Sequence, residues 1–103
     1  MYVLNYWHTV PDYAAWKKVF DTDPLGREAS GVRRYSIERP AGSEHMVVGH
    51  LEFDTLAEAE AFATRLEEVW QGPGSRLVAN AGQNISEKIE EKELGGAAGR
   101  RAA

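Results

Sequence analysis

All three histidines of this sequence fall in runs that read as strands: His8 in YVLNYWHTV, and His45 and His50 in HMVVGHLEF. Histidine titrates near neutrality and can exchange protons at physiological pH, so His8 and His50 are the candidate catalytic residues. Tyr6, Arg34, Ser36 and Glu52 are the candidate substrate-binding residues. If the two histidines face the same side, Arg34 and Glu52 lie close by, and a polar cluster sits within a mostly apolar surface. The plainer alternative is a satisfied hydrogen-bond network at a dimer interface, where arginine and aromatic side chains are common. His8, His50 and Glu52 would make a two-histidine, one-carboxylate metal set. No spacing forces those three together, and His45 falls on the opposite face of its strand from His50, so no metal is expected.

The 103 residues suit one domain, and 43% apolar content can fill one core. Sixteen acidic residues against twelve basic ones give a net charge of −4, which argues against nucleic acid as a partner. The chain contains no cysteine, so disulfides, thiolate nucleophiles and cysteine-ligated metals are excluded. No apolar run approaches the roughly 18–20 residues that span a bilayer. The opening MYVLNYWHTV has no basic stretch ahead of its apolar residues, unlike a signal peptide. These features point to a soluble, cytoplasmic protein with no membrane partner. No phosphate-binding glycine loop and no G-x-S-x-G nucleophile motif is present.

The elements that must position the candidate residues follow from periodicity. Residues 2–10 are rich in β-branched and aromatic types and predict a strand. Pro11-Asp12 opens a helix on which Tyr13, Trp16, Val19 and Phe20 share a face, and Asp21-Thr22-Asp23-Pro24 ends it. Residues 25–30 hold a short turn. Residues 32–39 and 45–53 predict a hairpin across Pro40-Ala41-Gly42-Ser43. Thr55 and Glu58 form a capping box for a second helix with an apolar stripe from Leu56 to Trp70, closed by Gly72-Pro73-Gly74. SRLVANAG adds a short helical segment. ISEKIEEKEL, residues 85–94, fits helix by propensity and strand by topology, and topology decides for strand. The expected domain covers residues 1–94, with a disordered tail at 95–103.

The order β-α-β-β-α-β is the ferredoxin-like arrangement: α+β, a four-stranded antiparallel sheet with two helices on one face. Two helices cover one face only. Along the third strand Val47, Gly49, Leu51 and Phe53 form the apolar side, whereas Met46, Val48, His50 and Glu52 oppose it. The first strand carries large groups on both sides, and a second copy of the same sheet is the economical cover. A homodimer is therefore expected.

The stretch from His8 to Phe20, with Val10, Asp12, Tyr13 and Trp16, resembles the H-x-V-x-D-[YF]-x-x-W-x-x-x-F opening of small dimeric α+β-barrel proteins. The segment Val47–Phe62 resembles their strand-to-helix passage. This is the antibiotic-biosynthesis monooxygenase-like, or cyclase-like, superfamily, and the resemblance covers residues 2–90. It implies a homodimer whose two sheets close into a barrel, with a final strand that extends toward the partner. It also implies ligand pockets between sheet and helices or inside the barrel. Haem-degrading relatives use a first-strand asparagine, a tryptophan and an axial histidine. Asn5 matches the first, but the residues after Trp70 contain no histidine, so no cofactor is expected. The resemblance implies a small-molecule-binding protein, as a cofactor-independent monooxygenase or cyclase-type enzyme on an aromatic or polyketide-like substrate. The alternative is a non-catalytic structural or protein-interaction homodimer.

Overall fold

The computed structural model describes residues 1–95, so the expectation of a disordered tail at 95–103 falls, but for Gly95, outside the described residues. The elements are β1 (Tyr2–Thr9), α1 (Tyr13–Asp21), β2 (Val32–Glu38), β3 (Met46–Phe53), α2 (Leu56–Gln71) and β4 (Ala79–Glu87). The strands form one antiparallel sheet in the order β2-β3-β1-β4, so the ferredoxin-like arrangement holds. Asp12 caps α1 by accepting from the Ala15 amide at 3.2 Å, and Thr55 caps α2 by accepting from the Glu58 amide at 3.1 Å. Each polar side chain satisfies an amide that the first helical turn leaves free.

Both helices lie on one face, where Leu4, Tyr6, Val10, Val47, Leu51 and Phe53 of the sheet region meet Trp16, Ala59, Phe62 and Trp70. Tyr6 and Gly49 are direct partners across β1 and β3. A side chain at position 49 would run into the Tyr6 ring, so glycine is what lets that ring lie flat on the sheet.

The last strand differs from expectation at both ends. It starts at Ala79, inside the segment read as helical, and stops at Glu87. The open edge of β1 accounts for both limits. Pairing with β1 begins at Thr9–Ala79 and overrides the weak local helical preference of ANAGQN. It ends at Tyr2–Glu87, where β1 itself runs out, and one further bond follows, from the Lys88 amide to the Met1 carbonyl at 2.9 Å. Residues 88–94 pair with no strand among the described residues and run on as irregular backbone, with Ile89 and Leu94 exposed.

Candidate functional site

Between the sheet and the two helices lies a cavity of about 100 Å³, walled by Tyr6, His8 and Leu51 of the sheet, Trp16 and Phe20 of α1, and Phe62 and Trp70 of α2. Exposed Val19 and Pro24 mark where it meets solvent. The walls are mostly hydrocarbon and aromatic, and their polar side chains are the His8 imidazole, the Tyr6 phenol and the Asp23–Arg27 pair. His8 is 1% exposed, and its Nδ1 is buried with no hydrogen-bond partner among the described residues. Its ring stacks on Tyr6 at 5.6 Å and meets Trp16 and Trp70 edge-on at 5.3 and 6.1 Å. Such a setting disfavours the charged ring. Burial pushes the His8 pKa down to about 4, only partly opposed by backbone groups of His8 and Thr9, and the imidazole is neutral at pH 7. Burial likewise pushes the Tyr6 phenol upward, against a smaller opposing pull from the Arg27 charge. Arg27 itself is committed elsewhere. It lies over the Phe20 ring at 4.0 Å and the Tyr35 ring at 4.9 Å, donates to the Phe20 carbonyl at 3.0 Å, and pairs with Asp23 at 3.5 Å.

The six candidate residues do not form one cluster. Residues directly opposed across antiparallel strands share a face, and the register pairs His8 with Val47 and His50 with Asn5. His8 and Tyr6 thus point under the helices, whereas His50, Glu52, Arg34 and Ser36 point to the uncovered side. The expected grouping of His8 with His50 is corrected by this parity, and a metal set of His8, His50 and Glu52 cannot converge through the sheet. The more apolar alternation of Leu4, Tyr6 and Val10, against Asn5 and Thr9, is the sequence signal for which side of β1 is covered.

On the uncovered face polar groups pair with one another. The Asn5 amide donates to Asn84 Oδ1 and to Ser86 Oγ, both at 2.9 Å. Its Oδ1 accepts from His50 Nδ1 at 2.8 Å, and His50 Nε2 reaches Glu38 Oε1 at 3.1 Å. Both ring nitrogens of His50 thus face side-chain oxygens. Beside it Glu52 joins Arg34 at 3.4 Å and Lys88 at 3.3 Å. Ser36 stands opposite His50 in the ladder. The Trp7 ring lies over Gly82, close enough that a Cβ there would sit 2.6 Å from it. Asn84 and Ser86 were not legible as partners of Asn5, since the sequence put the start of the last strand at Ile85.

No protein-family model matches the sequence, and no curated protein matches it. Solved structures do. A candidate antibiotic biosynthesis monooxygenase from Deinococcus radiodurans superposes with a TM-score of 0.71 at 15% identity, over 93% of this chain and all of the other. SnoaB, a cofactor-independent oxygenase from Streptomyces nogalater, gives 0.69 at 11% identity, over 87% of this chain and 94% of its own. A dimeric ferredoxin-like protein from an uncultured marine organism gives 0.60 at 19% identity, over 90% and 97%. The chain therefore has the fold of the antibiotic-biosynthesis monooxygenase-like, dimeric ferredoxin-like proteins. At these identities the likeness speaks to fold alone. Among the described residues no helix is long and apolar enough to cross a membrane.

Proposed function

We propose that this chain is a cytoplasmic, homodimeric small-molecule-binding protein that takes an aromatic compound beneath its helices and acts on it as a cofactor-independent oxygenase or cyclase. The observation that carries the reading is His8: a neutral imidazole in the wall of an aromatic cavity, with a buried nitrogen that has no hydrogen-bond partner among the described residues. Buried polar groups are otherwise hydrogen-bonded, and a group left unpaired beside a cavity is suited to a partner that arrives from outside. In this reading the imidazole receives the hydrogen of a substrate hydroxyl. As that proton moves to His8, the ring system becomes electron-rich and can pass electrons to dioxygen. Monooxygenation would then convert a ring CH ortho or para to the hydroxyl to C=O: phenol and dioxygen give a quinone and water, the second oxygen atom leaving with the hydroxyl and ring hydrogens, and the substrate itself supplies all four electrons. The protein's part is to bind, desolvate and hold the proton.

The uncovered face supports the dimer. Trp7, Val3, Met46 and Val48 are half-buried there around the Asn5–His50–Glu38 chain, and a second sheet would complete their burial. The purely structural alternative calls for a dimer whose barrel interior, between the two sheets, is filled by side chains. Native mass spectrometry of protein purified gently from its host tests both halves. A dimer carrying extra mass is the expected result. A monomer would overturn the account of the uncovered face, and a bare dimer with no oxygen uptake on any phenol would overturn the ligand reading.

A further inference from the structure

The size and polarity of the cavity restrict its ligand further, on the reading that the cavity beneath the helices is the ligand site. We infer that it takes a neutral, single-ring phenol, held by one hydrogen bond to the His8 imidazole, and excludes fused multi-ring compounds.

Volume sets the ring count. A protein cavity of roughly 150 Å³ holds benzene, and drug-sized ligands need on the order of 300 Å³ or more. About 100 Å³ is smaller than either, so one six-membered ring already fills it with its substituents at the mouth by Val19 and Pro24, and a second fused ring would have to displace packed aromatic side chains. Neither wall yields easily. Trp16 is wedged between Phe20 at 5.1 Å and His8 at 5.3 Å, and Tyr6 lies directly on the backbone at Gly49.

The polar groups set the charge. An anionic ligand would need a free cation, and Arg27, the basic side chain in the wall, is already occupied by Asp23, the Phe20 carbonyl and two aromatic faces. A ligand cation would find Asp23, the carboxylate in the wall, already paired with the Arg27 guanidinium and accepting from the Arg27 amide at 2.9 Å, and otherwise hydrocarbon and a neutral imidazole. Of the two polar groups that remain, the Tyr6 hydroxyl lies over the Gly49 backbone and His8 is the buried one with an unmet nitrogen, a polarity matched by a hydroxyl on an otherwise apolar ring. The other buried polar atom without a partner among the described residues, Gln83 Oε1, is not part of this wall. A ring lacking the hydroxyl would leave His8 unmet, and that difference is what selects a phenol over a plain arene.

The tryptophans supply the readout. Trp16 and Trp70 line the cavity, whereas Trp7 stands on the opposite face of the sheet over Gly82 and serves as an internal reference. Two-dimensional ¹H–¹⁵N spectra of the full chain would be recorded during titration with 4-methylphenol, toluene, 2-naphthol and 2-hydroxyanthracene. The expected result is that 4-methylphenol shifts the Trp16 and Trp70 indole signals and leaves Trp7 still. Toluene should bind at least tenfold more weakly, and the two fused-ring phenols should shift neither cavity indole. Tighter binding of the fused-ring phenols at the same two indoles would overturn the single-ring limit while the cavity reading survives. Equal binding of toluene and 4-methylphenol would overturn the role of His8. Silence of both cavity indoles with every compound would remove the cavity reading and this inference together. His8→Leu, close in volume, should erase the preference for 4-methylphenol over toluene, and a retained preference counts against the assignment.

Discussion

The two faces of one sheet solve opposite problems with neighbouring residues. Beneath the helices, aromatic and aliphatic groups exclude water so fully that one histidine is held neutral and unpaired. On the other side another histidine, three residues along the ladder, has an acceptor at each ring nitrogen. The same residue type thus becomes a latent polar contact on one face and a tied-down link on the other. Environment, and not residue identity, decides which. The lesson for the site is that chemistry belongs where a polar group is left incomplete, and the uncovered face leaves little incomplete within the chain.

Substitutions can break or sharpen that contrast. The largest effect is expected at Phe53, fully buried against Phe62 at 5.7 Å. Phe53→Ala should cost about 3–5 kcal/mol, read from urea denaturation. Acid should expose His8 next. Its pKa is lowered in the fold, so between about 6.5 and about 4 the unfolded chain holds the extra proton. Stability contributed by the neutral ring is full above pH 6.5 and is lost as pH falls through that window, by on the order of 3 kcal/mol. His8→Leu should flatten this part of the pH profile, and an unchanged slope would show that His8 is not the group responsible. Gly49→Ala should cost about 1–3 kcal/mol by driving Tyr6 off the sheet, with broadened Trp70 signals. The smallest effect on the fold belongs to His50→Ala, at under about 1 kcal/mol, because its carboxylate partner is exposed. Its consequence should appear instead in sedimentation, as a weaker dimer. A His50 variant that melts earlier than the Phe53 variant would end the distinction between the faces.

The sequence carried the fold further than the site. The capping residues Asp12 and Thr55, the apolar stripe of α2 and the parity of β3 are local patterns, and each is present as read. The end of the chain was harder, since β4 is defined by the free edge of β1 and not by its own residues. The candidate site mixed two faces for a related reason. Alternation gives two sets of residues on a strand, but β1 has bulky groups in both. Only the pairing of Tyr6 with Gly49 and of Asn5 with His50 assigns each set a side. The cavity was out of reach altogether. Trp16, Phe20 and Trp70 read as core, which they are, and a void among core residues has no signature in spacing.

One rung of the ladder makes the cavity's capacity adjustable. Tyr6 fills part of the floor, and its partner across β1 and β3 is a residue with no side chain. Bulk can be traded between these two positions in a lineage, or at a bench, so that the wall moves while the summed volume stays the same. Neither helix, nor the loops, nor the opposite face need change with it. The volume of the cavity is in this sense a setting held by two codons.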